Sequence, residues 1–334
     1  GVTAEELPAK LTELWQFKVK AGMDGSPCVA GGVAFVTGQD GHIHAVDVAT
    51  GKRKWKTEIG PSKASPAVKG ESVYIGSEDG KFRRLDTATG REMWAFDTGG
   101  EITAAANFHG ETILIPSHSG KLFALDRTGK KLWQYSADQP IYGSVAVMFG
   151  FAYLAGCDSK LHALDADNGE RTDTFDLGGQ TGVTPAMDGG VFVGTMANEF
   201  WAVDREGNPA GKPMRKLWSF KPPKGNGFQG SAAVTADVVV IGSDAGRVWG
   251  LDRVTGRPKW EFAAKGDFHA SPVVAGNRVY APSDRTLYVL DLATGKKVRE
   301  LRLDGEVRGS PAVAGGCVFV ATDNGTLYCF GSKD

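Results

Sequence analysis

An aspartate recurs at Asp47, Asp86, Asp126, Asp165, Asp204, Asp252 and Asp291. Carboxylates act as general acids and bases when paired in environments that drive their acidities apart. These return instead at near-constant intervals, each at the end of a β-rich stretch. There a carboxylate accepts backbone N–H groups two or three residues on, so the series reads as turn formers. His44 and His162 occupy a position that holds Phe123, Trp201, Trp249, Tyr288 and Tyr328 elsewhere, and read as packing groups. His42, His109 and His118 have no companions at metal-ligand spacing. Cys28, Cys157, Cys317 and Cys329 form no CxxC pair and read as buried thiols. Asp323-Asn324-Gly325 opens no twelve-residue calcium loop. No catalytic residue and no metal ligand is expected from these patterns.

The elements that carry these residues follow from the repeat. Ala45-Val46-Asp47 leads to Gly51 and Trp55; Arg84-Leu85-Asp86 to Gly90 and Trp94; Ala124-Leu125-Asp126 to Gly129 and Trp133; Gly250-Leu251-Asp252 to Gly256 and Trp260. A second marker runs Ser26-Pro27, Ser65-Pro66, Ala104, Ser144, Thr184-Pro185, Ser231, Ser271-Pro272 and Ser310-Pro311, which counts eight units of about 39 residues. One unit reads as four short strands: 65–68, 72–76, 81–85 and 91–96, separated by Lys-Gly, Asp-Gly and Thr-Gly turns. Proline lacks an N–H, so the Ser-Pro strand belongs at a sheet edge, here the innermost one. Four strands per unit at this period predict an all-β, eight-bladed propeller of antiparallel blades. The expected organisation is a single domain over 1–334, with eight repeats over 26–330. The last unit supplies three strands, and residues 11–20, around Trp15, are expected to provide its outer strand and remove two open edges.

Composition bounds the partners. The chain has 38 basic and 39 acidic residues among 334, leaving no surplus to neutralise a phosphate backbone, so nucleic acid is excluded. No apolar run approaches the roughly 18 residues that cross a bilayer. Any membrane association is expected to be peripheral, through a lipid anchor not visible in this chain.

Variation within the repeat marks the candidate site. The residue before the Ser-Pro marker is usually small, as in Gly25, Ala64, Gly143 and Gly309. One residue earlier stand Asp24, Lys63, Ile102, Tyr142, Gly182, Gln229, His269 and Arg308. With the first strand innermost, this slot surrounds one mouth of a channel. Asp24, Lys63, Tyr142, Gln229, His269 and Arg308 are therefore the expected ligand- or partner-binding residues. Arg308 can hold a carboxylate with two parallel bonds, so a small acidic ligand is expected beside a protein or peptide partner. A second candidate is the insertion 208–214 with the segment 221–228, where Phe228 is expected to offer an apolar anchor.

The Ala-x-Asp-x-x-Thr-Gly-x-x-x-Trp pattern at 45–55 resembles the repeat of pyrroloquinoline-quinone (PQQ)-like propellers, over nearly the whole chain. Phe175 stands for the tryptophan in the fourth unit, and Val298 and Leu301 in the seventh. In size the chain is similar to the BamB-like outer-membrane assembly lipoproteins. That resemblance implies a non-catalytic protein-interaction scaffold in the periplasm or otherwise outside the cytoplasm, with no cofactor. One alternative is a PQQ-dependent quinoprotein dehydrogenase using PQQ with calcium, although the adjacent cysteine pair of those enzymes is missing. The other is a ligand-sensing domain of a larger receptor or kinase.

Overall fold

The computed structural model describes residues 1–8, 10–204, 213–223 and 225–333, and those residues form strands and turns with no helix. Eight sheets follow the eight repeats; seven hold four consecutive antiparallel strands in meander order, and the last holds three consecutive ones. The second blade is typical: Ala67–Lys69, Ser72–Gly76, Lys81–Asp86 and Glu92–Asp97. The second and third strands are almost wholly buried, so they carry continuous apolar runs such as Val33-Ala34-Phe35-Val36. The fourth strand alternates exposed and half-buried residues, as expected of a sheet edge with one wet face.

The chain divides into two compact units. One spans Ala106–His269 and holds blades three to six; the other combines Val2–Ala105 with Ala270–Asp334 and holds blades one, two, seven and eight. In the second unit, Thr12–Lys18 pairs antiparallel with Thr326–Gly331, placing Trp15 opposite Cys329. The N-terminal strand thus completes the last blade. One strand was not foreseen. Val2–Thr3 pairs parallel with Val273–Ala275 and adds a fifth strand to the first-strand edge of blade seven.

The repeated residues lock one blade to the next. Asp47 Oδ1 accepts from Thr50 N at 2.9 Å and Thr50 Oγ1 at 2.7 Å, and Asp86, Asp252 and Asp291 do the same with Thr89, Thr255 and Thr294. The turn then reaches a glycine with positive φ, +67° at Gly51 and +73° at Gly90. The tryptophan of the preceding blade lies flat on that glycine. A Cβ at Gly90 would stand 2.5 Å from the Trp55 ring, which excludes any side chain there. The indole N–H donates into the same turn: Trp15 to Val48 O at 2.8 Å, Trp55 to Thr87 O at 2.9 Å and Trp218 to Arg253 O at 2.9 Å. The Ser-Pro marker also ties blades together. Ser65 Oγ accepts from Ser26 N at 2.8 Å, Ser26 Oγ from Ser310 N at 2.8 Å, and Ser310 Oγ from Ser271 N at 3.1 Å.

The strand register corrects two assignments. Trp55, Trp133 and Trp218 face Ala45, Ala124 and Ala202. In blade four the residue facing Ala163 is Asp173, and Phe175 faces Leu161. In blade seven Arg299 faces Val289. The tryptophan position is therefore held by Asp173 and Arg299, not by Phe175 or by Val298 and Leu301. The bulge between the third and fourth strands recurs in these blades, so the position lies eight residues after the repeated aspartate in each: Asp47 to Trp55, Asp165 to Asp173 and Asp291 to Arg299.

Candidate functional site

The variable slot sits on the segment leading into each first strand. It is held against the hairpin that joins the second and third strands of the same blade. Backbone bonds fix the arrangement: Gln39 N donates to Gly22 O at 2.8 Å, Glu78 N to Pro61 O at 2.9 Å, Asp244 N to Gly227 O at 3.2 Å and Asp323 N to Glu306 O at 2.9 Å. A second variable position, about fifteen residues on, thereby comes beside the first.

In the unit of blades one, two, seven and eight these positions form a linked series. Arg308 Nη2 lies 3.4 Å from Glu306 Oε2, and Arg308 Nε 3.8 Å from Asp24 Oδ1. Gln39 Nε2 reaches Asp24 Oδ2 at 3.5 Å and Glu78 Oε1 at 3.4 Å. Lys63 Nζ closes on Glu78 Oε1 at 3.3 Å. The Arg308 and Lys63 side chains remain 57% and 50% exposed, so the series is a solvated rim rather than a buried network. Both cations expected to receive an acidic ligand already face carboxylates, and Asp24, Glu78 and Glu306 outnumber them. Ile102 is buried against Gly76 and does not join the rim.

In the unit of blades three to six, Gln229 Nε2 donates to Asp244 Oδ2 at 2.6 Å. His269 Nδ1 lies 3.1 Å from Asp244 Oδ1 and Nε2 3.9 Å from Asp267 Oδ2. Burial, and secondarily the charge of Asp267, push the Asp244 carboxyl above its ordinary range against the pull of Gln229 and His269. Tyr142, 43% exposed, meets His118 edge-on at 4.4 Å between ring centroids.

Gln39, Glu78, His118 and Asp244 thus stand beside the expected residues, a placement that the sequence reading missed. Their signal was a second free column in the repeat, hidden because Asp and Gly are common in such turns.

Phe228 is corrected. It is 0% exposed, packs edge-on to Phe200 at 5.7 Å and fills the space over Gly194, so it anchors the core and not a partner. Of the insertion, 208–212 lie outside the described residues. Met214 is buried, and its N–H donates to Asp173 Oδ2.

The histidines inside the blades have structural partners. His162 Nε2 is 2.7 Å from Asp158 Oδ2 and His44 Nε2 is 3.1 Å from Asp40 Oδ2, both four residues back, while Arg83 pairs with Asp79 at the same spacing. Burial lowers the pKa of His44 against the opposing charge of Asp40. Among the described residues no three His, Cys, Asp or Glu side chains come together as a metal site.

Comparison with known proteins defines the class. The PQQ_2 family model, described as outer membrane protein assembly factor BamB, matches residues 8–148, 124–210, 214–298 and 283–334, and the chain belongs to this family of PQQ-like propellers. BamB of Moraxella catarrhalis superposes with a TM-score of 0.80, covering 97% of this chain and 98% of that one at 19% identity, which shows the eight-bladed β-propeller fold. Among curated proteins, serine/threonine-protein kinase AfsK of Streptomyces griseus is 31% identical over 291 residues, 82% of this chain and 34% of the kinase. BamB of Burkholderia pseudomallei is 24% identical over 282 residues, 77% of this chain and 63% of that protein. The chain therefore spans about a third of the kinase and less than two thirds of that BamB.

Proposed function

We propose that the chain is a non-catalytic interaction propeller, working outside the cytoplasm, that offers protein or peptide partners the rim of slot and hairpin side chains. The observation that carries this reading is the linked series Glu306, Arg308, Asp24, Gln39, Glu78 and Lys63. Side chains already held by one another lose less rotamer freedom on binding than free ones. The carboxylate excess selects partner amines, guanidinium groups and backbone N–H donors. Likeness to an outer membrane protein assembly factor supports a periplasmic setting. Membrane attachment would then come from a lipid anchor outside these residues.

A photoreactive residue at position 63 or 308, both on the linked series, introduced in native cells, tests the reading. Adducts with one protein are expected at both positions and not at the exposed outer-strand positions 56 and 174. Adducts equally frequent at all four, or absent from the rim, overturn it. A second reading has its own support: the match to the AfsK kinase over 82% of the chain favours a ligand-sensing domain. A kinase domain on the native polypeptide would decide for it.

A further inference from the structure

Blade seven breaks the repeat where the lock between blades should be. Arg299 stands at the tryptophan position, and no indole fills the space beside it. The N-terminal arm partly covers the gap. Val2–Thr3 pairs with Val274 and Ala275, Glu5 accepts the N–H of Gly316, and Leu7 and the buried Leu11 pack into the core shared by blades seven and eight. A cavity of about 130 Å³ remains. It is walled by Leu7, Pro8, Leu11, Val289 and Val298 and carries Asn277, Arg278, Tyr280 and Arg299.

The polar groups of the cavity are incompletely satisfied. The Arg278 guanidinium is neutralised by Asp291 at 2.7 Å. Arg299 is half-buried, and no carboxylate or acceptor among the described residues meets its guanidinium. Tyr280 is only 2% exposed, and its side chain lines the cavity, with no hydrogen bond to its hydroxyl among the described residues. Burial drives the Tyr280 pKa to about 12, against the nearby Arg278, so the hydroxyl stays a donor at any physiological pH. Two vacant donors facing an aliphatic wall specify a ligand with an oxyanion at one end and a short apolar stem.

We propose that this cavity binds a small carboxylate bearing a branched aliphatic group, its oxygens taken by Arg299 and the Tyr280 hydroxyl and its stem by Leu7, Leu11 and Val298. The size agrees: an apolar cavity of about 150 Å³ accepts benzene, so about 130 Å³ suits a stem of four or five carbons. A chain-terminal leucine or valine and a free branched acid share this chemistry. The site lies apart from the rim, and its failure would leave the interaction reading untouched.

The test is calorimetric titration of the intact protein with 3-methylbutanoate, alongside 3-methylbutanol and 3-methylbutylamine as uncharged and cationic controls. Saturable one-site binding of the acid alone is expected. Tyr280→Phe should weaken it by about tenfold or more, the scale of a hydrogen bond to a charged group. Arg299→Gln should weaken it further with little change in melting temperature. Arg299→Trp should abolish binding by filling the cavity and removing the guanidinium; if that variant does not fold, the glutamine variant still decides. N-acetyl-leucine binding more tightly than the free acid identifies a chain terminus as the natural ligand, and the reverse order identifies a free acid. No saturable binding by the parent, alcohol binding as tight as the acid, or full binding by Arg299→Gln would overturn the proposal.

Discussion

Truncation of Trp15 to alanine probes the lock between the N-terminal strand and blade one. The indole donates to Val48 O at 2.8 Å, covers Gly51 and packs at 6.0 Å from Phe319. Truncating a fully buried Trp or Phe costs about 3–5 kcal/mol, and Trp15 is half-buried, so its packing is worth about 2 kcal/mol. The lost hydrogen bond adds about 1 kcal/mol, for a total of about 3 kcal/mol. At about 2.1 cal/mol/K per residue, 334 residues have an unfolding entropy of about 0.7 kcal/mol/K. Dividing the first figure by the second lowers the melting temperature by about 4 °C. Trp15→Phe keeps most of the ring and loses only the bond, for a drop of about 1–2 °C. Differential scanning calorimetry of both variants reads the difference. A Trp15→Ala protein that melts within 1 °C of the parent would refute the reasoning, because neither the packing nor the bond would then hold the strand.

Phe228→Ala should cost about 3–5 kcal/mol, read as a lower urea midpoint; an unchanged midpoint would return Phe228 to the surface. Acid should destabilise the protein. Hydrogen bonds from Thr50, Thr89, Thr128, Thr255 and Thr294 hold the pKa values of Asp47, Asp86, Asp126, Asp252 and Asp291 below the ordinary range. For Asp79, burial pushes upward, but the bonds from Arg83 and Ser77 win and set it at about 2. A depressed folded-state pKa contributes stability that is present above the unfolded value and lost as pH falls. Urea midpoints should therefore hold above pH about 4 and decline from there toward pH 2; a flat profile across that window contradicts the turn bonds. Burial raises the Cys329 thiol, and Cys317 beside it raises it further, so native protein at neutral pH should leave Cys329 unmodified by iodoacetamide, with mass spectrometry as the readout.

The four strands of each blade were legible because each repeat shows its own turns. Asp79-Gly80 and Asp86 to Gly90 bracket Lys81–Asp86 wherever that strand is placed. The slot at Asp24, Lys63 and Arg308 was legible as a column of unlike residues. Its partners at Gln39 and Glu78 were not, since only the hydrogen bonds from the hairpin to Gly22 O and Pro61 O bring the two columns together. The charge of the rim was misread for the same reason: Lys63 looks free in the sequence and faces Glu78 in space. Phe228 misled because it follows two prolines and a Gly-Asn-Gly run, the surroundings of an exposed loop. The chain nevertheless turns inward there to cover the bare backbone of Gly194. Arg299 stands eight residues after Asp291, as Trp55 does after Asp47, and was passed over because the apolar Val298 and Leu301 near it look more like a tryptophan substitute.

The indole-on-glycine contact has a bearing on how such a chain grows. The tryptophan belongs to the last strand of one repeat and its glycine to the following repeat, as at Trp55 and Gly90 or Trp218 and Gly256, so a copy that keeps both residues has a tongue on one side and a socket on the other. A duplicated stretch of about 39 residues brings both halves of the joint with it, and genetic gain or loss of a copy leaves matching surfaces behind. The exception is the sheet assembled from both chain ends. Its cut falls within a sheet and not between two, so it cannot be copied as one piece, and every change in copy number must occur among the other seven.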